Sequence, residues 1–296
     1  MKKIARILLP LLLIILPSCS VWNYLVPNSV RKQGREGFTH VPKGTLVQMS
    51  YPVTDGRPDK RQMMVYLPDD YGTGEKRYPV VYLLHGARGN QYSWVIKGQV
   101  TKVADEVYSH SGPVKAIIVM PNVNQYNSTG DARIDRPKNA LESVLEIDGK
   151  VEAEFLHDVV AFVDDHFRTI PDKQHRAIAG LSIGGMQSMY ISANNPDVFD
   201  YVGLFSPLFG AHIRRSDFSH FYKDIQRKVD MQFENPPAMY MVTVGTTDIL
   251  HLATKSICHM LDRKKYPYIY MESPGGHDWV NWRRNLYNFL YATFRE

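Results

Sequence analysis

The segment Ala179-Gly180-Leu181-Ser182-Ile183-Gly184-Gly185 carries the pattern Gly-x-Ser-x-Gly between two stretches of different character. An apolar, strand-like run from Arg176 precedes it, and a helix-like segment from Met186 to Asn194 follows it. A serine on a tight turn between a strand and a helix is typical of a nucleophile elbow, where small neighbours let the backbone bend sharply. The alternative interpretation is a glycine-rich loop in which the serine stands by chance.

Outward from this segment, short apolar runs alternate with helix-like stretches. Strands are predicted at 45–53, 61–67, 78–84, 116–120, 176–179, 201–205, 238–244 and 266–271, and the main helices at 155–167, 186–194, 249–262 and 278–294. Such alternation predicts an α/β fold, with a mostly parallel sheet that is covered by helices on both faces. Ligands of such sheets bind beyond the carboxyl ends of the strands.

Three residues with complementary chemistry follow predicted strands closely, namely Ser182, Asp248 and His277. A serine hydroxyl needs a neighbouring base to become a nucleophile, and that base needs a partner that fixes its tautomer. The order Ser, Asp, His along the chain is the order expected of an α/β-hydrolase. Asp278 competes with Asp248 as the acid, although its adjacency to His277 makes a good side-chain contact awkward.

The predicted strand at 78–84 runs into His85-Gly86-Ala87, a position where α/β-hydrolases supply an oxyanion donor. The backbone N–H groups of Ala87 and Ile183 are therefore predicted to form an oxyanion hole. Each such donor is worth about 3 kcal/mol of barrier. The alternative is an ordinary strand-to-helix turn, and His85 itself is interpreted as structural.

The first eighteen residues are typical of an export signal, with a basic start and the apolar run Ile7 to Leu16. The run is short for a membrane span. Leu16-Pro17-Ser18-Cys19 is similar to a bacterial lipoprotein cleavage box, which predicts lipid attachment at Cys19 and anchoring to a bacterial membrane, in the periplasm or at the cell surface. Plain secretion and an uncleaved anchor are the alternatives. The predicted divisions are signal 1–18, tether 19–42 and catalytic domain 43–296.

Charge and cysteine content narrow the range of partners. The net charge is +5, and removal of the basic signal leaves +2, with no Lys/Arg run to indicate nucleic acid binding. After processing and lipid attachment at Cys19, only Cys258 keeps a free thiol. It is interpreted as a buried core residue. A metal site at His251, Cys258 and His259 lacks the usual ligand spacing, so neither a metal nor a cofactor is predicted.

Taken together, the motifs identify a resemblance over about residues 45–294. The chain resembles the esterase D-like α/β-hydrolases, which include feruloyl esterases, S-formylglutathione hydrolases and mycolyltransferase antigens. The motifs are the strand ending in His85-Gly86, the segment 180–185, Gly245-Thr246-Thr247-Asp248, and Gly275-Gly276-His277-Asp278-Trp279 with Trp282. The resemblance implies a serine esterase fold, the Ser182–His277–Asp248 triad, and oxyanion donors at Ala87 and Ile183.

The resemblance does not fix the substrate. An exported enzyme is poorly suited to cytosolic glutathione chemistry, so the expected substrates are feruloyl or acetyl esters of polysaccharide or its fragments. A siderophore esterase and an acyltransferase of the same fold remain as alternatives, as does a non-catalytic, glycan-binding surface lipoprotein. Four aromatic residues are candidates for lining a cinnamoyl pocket, with core packing as the alternative: Trp94, Tyr126, Trp279 and Trp282.

Overall fold

A computed structural model describes residues 42–54, 61–124, 144, 147–210 and 217–295. Its centre is an eight-stranded sheet with the strand order β1-β2-β4-β3-β5-β6-β7-β8. β1 and β2 pair antiparallel, β2 pairs antiparallel with β4, and all the remaining pairs are parallel. The predicted α/β class and mostly parallel sheet are confirmed.

The strands are β1 Thr45–Tyr51, β2 Arg61–Leu67, β3 Val80–Leu84, β4 Ile117–Pro121, β5 Arg176–Leu181, β6 Tyr201–Phe205, β7 Met239–Gly245 and β8 Ile269–Ser273. The α-helices are α1 Ser93–Ile96, α2 Val100–Tyr108, α3 Lys150–Ala153, α4 Ala161–His166, α5 Ile183–Asn194, α6 Ile225–Gln232, α7 His251–Lys264 and α8 Trp279–Ala292. A π-helical turn, Leu156–Val160, and the 3₁₀ turns Lys173–His175 and Ser219–Tyr222 complete the described elements.

The apolar runs became strands because their side chains are buried on both faces of the sheet. In β3, Val80, Tyr82 and Leu84 belong to the core on one face, while Val81 and Leu83 belong to the core on the other. Each face is then covered by helices, which is why continuous apolar runs are found here in place of alternating ones. All five side chains are fully buried.

The helix predicted over 155–167 differs from the prediction in its backbone. It begins with the π-helical turn Leu156–Val160 and continues as α4. The predicted apolar face is nonetheless present, since Phe155, Val159 and Val163 are buried in the core. The π-helical turn widens the hydrogen-bonding pattern without moving these side chains away from the sheet.

Several predictions fall outside the described residues. The signal, most of the tether with Cys19, and Tyr126 lie there. Cys258 is buried as predicted, and burial raises the pKa of its thiol to about 11. Among the described helices, none combines the length and apolarity that a membrane crossing requires.

Candidate active site

Ser182 lies on a sharp turn between β5 and α5, with φ 56° and ψ −118°. A positive φ with this ψ is uncommon for a residue with a side chain and is typical of strained functional positions. Two backbone hydrogen bonds hold the turn: the Ser182 N–H donates to the Phe205 carbonyl at 2.9 Å, and the Leu208 N–H donates to the Ser182 carbonyl at 3.0 Å. The strand-to-helix turn predicted from the sequence is confirmed.

The two outer glycines of the motif are needed because other backbone atoms approach them closely. A Cβ atom at Gly180 would lie 2.4 Å from the Gly184 carbonyl oxygen, and one at Gly184 would lie 2.3 Å from the His85 carbonyl oxygen. Both distances are shorter than the non-bonded contacts that real Cβ atoms make. The turn therefore closes only with glycine at these two places, and the segment after β3 is held directly against the start of α5.

The structure brings Ser182, His277 and Asp248 into one hydrogen-bonded line. The His277 Nε2 lies 3.0 Å from the Ser182 Oγ. Its Nδ1 lies 2.9 Å and 3.1 Å from the two carboxylate oxygens of Asp248. With Nδ1 protonated and donating to Asp248, Nε2 is left with a lone pair that faces the serine hydroxyl. This arrangement can take a proton from Ser182 as an acyl group is transferred.

The turns after β7 and β8 are joined to each other, which places the acid beside the base. The Thr247 N–H donates to the Gly275 carbonyl at 3.0 Å. Gly275 has φ 119°, a value that favours glycine. The buried Asn281 side chain donates to the Gly276 carbonyl at 2.8 Å and so fixes the turn that carries His277. Asn281 was not predicted from the sequence, since its role depends on contacts with a turn from another element.

Asp248 keeps its charge although its side chain is fully buried. Burial acts to raise the pKa of this carboxyl. Hydrogen bonds from His277 and from the Leu250 N–H outweigh that effect and hold the pKa below its usual value. The Leu250 N–H lies 2.8 Å from Oδ1. A carboxylate with this many donors stays ionised and can stabilise a protonated His277.

The competing acid, Asp278, has a different task. It is the N-cap of α8, and its carboxylate accepts from the Val280 and Asn281 N–H groups at 2.9 Å and 3.1 Å. It also accepts from the Gly276 N–H at 3.2 Å. Its oxygens thus satisfy the exposed donors of a helix start. Of the two candidates left open by the sequence, Asp248 is the one that contacts His277.

His85, at the end of β3, is buried and bonded to backbone on both sides of its ring. Its Nε2 accepts from the Val123 N–H at 3.1 Å, so its Nδ1–H donates to the Gly86 carbonyl at 2.9 Å. Burial lowers the pKa of this imidazole to about 4, which keeps it neutral. The residue ties the end of β3 to the segment after β4, in agreement with the structural role predicted for it.

The expected oxyanion donors lie on the two segments that meet at the elbow. The Ile183 N–H belongs to the first turn of α5, where helix N–H groups have no intrahelical acceptor. A Cβ at Gly86 would lie 3.2 Å from the Ser182 Cβ, so the adjoining Ala87 follows directly beside the nucleophile turn. Ala87 is half-buried. The assignment of these two donors remains a prediction that this packing favours.

The aromatic residues predicted to line a pocket have divergent environments. Trp94 is fully buried and donates its indole N–H to the Leu84 carbonyl at 3.0 Å, so it is a core residue and the pocket prediction is wrong for it. Trp282 is also buried, with its ring edge-on to His277 at 4.8 Å between centroids. Trp279 is half-buried and packs edge-on against both Trp94 and Trp282 at 5.2 Å. Of these three side chains, Trp279 is the one that is not buried.

The His251, Cys258 and His259 combination does not form a metal-capable group within the described residues. The group with ligand atoms close enough to hold an ion there is Glu154, His157 and Asp158, on and beside the π-helical turn. Asp158 already accepts from the Thr54 hydroxyl at 2.7 Å and from its N–H at 3.0 Å. Through these hydrogen bonds, the cluster connects the segment after β1 to the π-helical turn.

Ser206 is a member of the site that sequence reasoning did not select. It follows β6 directly and is fully buried, and its hydroxyl oxygen accepts from the Trp282 indole N–H at 3.3 Å, while the same indole packs edge-on against His277. Its position in the sequence could have indicated this residue, since it comes immediately after a predicted strand, as the candidate catalytic residues do. A serine followed by proline is common in turns, so this signal alone was weak.

Comparisons with known proteins agree with this geometry. A family described as "Putative esterase" matches residues 56–292. An endo-1,4-beta-xylanase/feruloyl esterase of Xylanibacter ruminicola is 35% identical over 146 residues, which is 48% of this chain and 19% of that protein. Endo-1,4-beta-xylanase Y of Acetivibrio thermocellus is 27% identical over 180 residues, or 56% of this chain and 14% of that protein. The chain thus spans less than a fifth of either relative.

Solved structures are similar over most of the chain. A ferulic acid esterase from the anaerobic fungus Anaeromyces mucronatus, in complex with ferulic acid, has a TM-score of 0.66 and 25% identity. The match covers 91% of this chain and 96% of that one. An S-formylglutathione hydrolase from Staphylococcus aureus has a TM-score of 0.65 and 19% identity, covering 86% and 98%. At that identity the second similarity concerns the fold alone.

Proposed function

This chain belongs to the Esterase family, and from that premise we propose that it is a serine carboxylic ester hydrolase acting on acylated carbohydrate. The observation that carries the proposal is the hydrogen-bonded line from Ser182 through His277 to Asp248. A serine with a neighbouring base and a buried carboxylate behind that base is the arrangement that acyl transfer requires.

In the first half of the proposed reaction, the Ser182 Oγ attacks the ester carbonyl carbon while the His277 Nε2 takes the hydroxyl proton. The carbonyl oxygen becomes an oxyanion, which the N–H groups of Ala87 and Ile183 stabilise. Asp248 stabilises the imidazolium without taking its proton. The intermediate then collapses, the bond to the alcohol oxygen breaks, and the alcohol leaves with the proton from His277.

In the second half, water attacks the acyl-serine carbonyl carbon while the neutral His277 takes one of its protons. A second oxyanion forms at the same two N–H groups. Its collapse breaks the bond to the Ser182 Oγ, which recovers a proton from His277, and the carboxylic acid departs. An alcohol in place of water would give acyl transfer by the same steps, so the two outcomes differ only in the acceptor.

Feruloyl and acetyl esters of polysaccharide, or of its fragments, are the substrates we favour. The Xylanibacter relative is named as a feruloyl esterase, and the Anaeromyces enzyme was solved with ferulic acid. The half-buried Trp279 offers an aromatic surface next to the residues that carry His277. An aromatic acyl group can stack on such a surface, whereas an acetyl group cannot.

A substrate panel tests the proposal. It compares methyl ferulate, acetylated xylan, a short p-nitrophenyl ester and a catecholate siderophore, each with the wild type and with Ser182→Ala. We expect the highest kcat/KM on methyl ferulate or acetylated xylan, and a loss of about 10⁴-fold or more in the variant. Highest activity on the siderophore would overturn the carbohydrate assignment. Equal activity of the folded variant would overturn the nucleophile.

The non-catalytic alternative is separated by covalent labelling. A fluorophosphonate probe reacts with an activated serine and not with an ordinary surface hydroxyl. We expect stoichiometric labelling of the wild type and none of Ser182→Ala. An unlabelled wild type that retains binding to xylan would support a glycan-binding protein in place of an esterase.

We also propose that the protein is exported and lipid-anchored through Cys19. The support is the sequence alone: a basic start, an apolar run and Leu16-Pro17-Ser18-Cys19. Two or more acyl chains would hold the protein at a membrane stably. The intact mass of the membrane-extracted protein tests this. A mature N-terminus at another residue, or no added lipid mass, would refute the anchor and leave the esterase proposal standing.

A further inference from the structure

A groove lies between α6 and α7, two helices that pack on the same face of the sheet. Its volume is about 430 Å³, within the range of about 300–1,000 Å³ that is usual for ligand sites. The lining comes from both helices and from the segment after β6, and it includes Phe209, Ile225, Gln226, His259, Met260 and Arg263. A concave, mostly apolar surface with a few polar groups is the usual form of a small-molecule site.

The carboxyl ends of α6 and α7 are joined through the carboxylate of Asp230. This carboxylate is paired with the Lys264 Nζ at 3.1 Å and accepts from the Tyr266 hydroxyl at 2.8 Å. The Gln226 Nε2 also donates to it at 2.8 Å. The charge of Asp230 is therefore compensated within the protein, and the amide oxygen of Gln226 is left as an acceptor on the lining of the α6–α7 groove.

Two nitrogen-bearing side chains line the groove from one face of α7. His259 and Arg263 are four residues apart, which places them one turn from each other, and both are exposed. Among the described residues, no ion pair includes Arg263, and the groove lining contains no carboxylate. A guanidinium presents a planar fork of donors that fits a carboxylate, and an imidazole has a donor in either charge state. A ligand that carries a carboxylate would therefore complement this lining.

Phe209 connects the groove to the nucleophile turn. It directly follows Leu208, whose N–H donates to the Ser182 carbonyl at 3.0 Å. Its half-buried ring packs against the core and lines the groove together with Ile225 and Met260. An aromatic ring among aliphatic side chains offers a flat apolar surface. Such a surface fits the C–H face of a sugar ring, whose hydroxyl groups need polar partners beside it.

We propose that the α6–α7 groove binds a uronic acid residue of the polysaccharide whose esters the active site hydrolyses. Arg263 and His259 donate to the sugar carboxylate, Phe209 packs on the ring, and the Gln226 oxygen accepts from a hydroxyl. The inference rests on the proposed function, because that function supplies the polymeric substrate. A polymer extends beyond the bond that is cleaved, so one chain can occupy the groove and reach Ser182. Binding in the groove raises the local concentration of ester groups and takes no part in the chemical step.

The test measures binding to a polymer that carries no ester. De-esterified glucuronoxylan is compared with the same polymer after its carboxyl groups have been reduced to alcohols, by affinity electrophoresis and calorimetry. Arg263→Gln removes the charge and keeps a polar side chain, whereas Phe209→Leu removes the ring and keeps an apolar one.

The matched control is Arg227→Gln, which removes an equal charge from an exposed position of α6 outside the groove lining. Folding of each variant is checked by circular dichroism. Arg263 and Arg227 are both exposed, so these two variants still decide the outcome if Phe209→Leu fails to fold.

We expect the wild type to bind glucuronoxylan at least about tenfold more tightly than the carboxyl-reduced polymer, as for hydrogen bonds to a charged group. Arg263→Gln should raise the Kd for glucuronoxylan about 10- to 100-fold, because the same hydrogen bonds are lost. Phe209→Leu should weaken the binding of both polymers about 2- to 10-fold. Arg227→Gln should stay within about twofold of the wild type, since salt screens a charge that lies outside the site.

Three results would overturn the inference. A wild-type Kd in Arg263→Gln would show that the guanidinium does not contact the polymer. An equal loss in Arg227→Gln would show that binding depends on net charge and not on the groove. Equal binding of the two polymers by the wild type, or no binding, would show that no uronic acid is recognised. The proposed function fails separately: a wild type that binds glucuronoxylan as expected, but neither turns over esters nor reacts with fluorophosphonate, would refute the esterase and support the groove.

Discussion

Two histidines follow the carboxyl ends of parallel strands, β3 and β8, and they have opposite properties. His85, after β3, is bonded to the Gly86 carbonyl and the Val123 N–H, and burial lowers its pKa to about 4. His277, after β8, is bonded to a carboxylate and a hydroxyl, and its side chain is 19% exposed. Both rings have a fixed tautomer, yet only one of them faces partners that exchange protons.

The role of each imidazole follows from the groups that it is hydrogen-bonded to. Two backbone groups and a dry environment hold His85 neutral, so it acts as a rigid link between β3 and the segment after β4. An ionised, buried Asp248 behind His277 makes the protonated form accessible during turnover, since the positive charge is compensated as it develops. The sequence predictions had assigned the two residues in this way, and three experiments test the difference between them.

The largest expected effect is on turnover. His277→Gln should lower kcat on a p-nitrophenyl ester by about 10⁴-fold or more, because the base is removed. His85→Gln should keep kcat within about tenfold, because glutamine retains one donor and one acceptor at a structural position. Steady-state kinetics and a melting curve on both variants provide the measurement. A larger loss of kcat in a folded His85→Gln would reverse the assignment.

The second effect compares the two acids near His277. Asp248→Asn should lower kcat by about 10³- to 10⁴-fold, since the amide cannot hold the imidazole in the required tautomer. Asp278→Asn should change kcat by less than about threefold, because asparagine also caps a helix well. The kinetics of the two variants on one ester decide between them. A greater loss in Asp278→Asn would contradict the hydrogen bonds that place Asp278 at the start of α8.

The smallest effect is on stability and concerns His85 alone. Its folded pKa lies below the ordinary value, so the folded state binds fewer protons than the unfolded state between about pH 6.5 and pH 4. Above about pH 6.5 the neutral His85 contributes about 3 kcal/mol to the free energy of unfolding. This contribution is lost as the pH falls toward 4. His85→Gln removes this dependence, because glutamine does not titrate.

Urea unfolding at about pH 7 and about pH 4.5 measures the change in unfolding free energy. The wild type should lose about 2 to 3 kcal/mol more than His85→Gln over this interval. The matched control is His259→Gln, an exposed position that should follow the wild type. Parallel curves for the wild type and His85→Gln would mean that the buried imidazole becomes protonated in the folded protein as readily as in the unfolded chain.

The fold was largely predictable because each part of it left a local pattern. Continuous apolar runs indicate strands that are buried on both faces, and β6 has the bounds that were predicted for it, Tyr201–Phe205. The ends of other elements moved by a few residues: the strand predicted at 266–271 is Ile269–Ser273. Strand ends are set by pairing with neighbours, as for β8 against β7, and this information lies elsewhere in the chain.

For the aromatic residues, the local sequence pattern does not predict which side chains are buried. Trp94 and Trp279 are equally plausible as pocket residues in the sequence, yet one is fully buried and the other retains exposed surface. Nothing near Trp94 in the sequence indicates that its indole N–H will donate to the Leu84 carbonyl. Burial of a large side chain depends on what covers it, and for Trp94 the cover includes Phe205 and Trp279 from other parts of the chain.

Residue type, spacing and order along the chain were enough to predict the α/β class, the turn at Ser182, and Ser182 and His277 as two residues of the site, because these features carry that chemistry. The tertiary structure decided between Asp248 and Asp278, and it placed the Trp282 ring edge-on to His277. Such choices depend on distances between segments far apart in the chain. A hydrogen bond forms only where folding brings a donor within about 3 Å of an acceptor, and no local pattern encodes that distance.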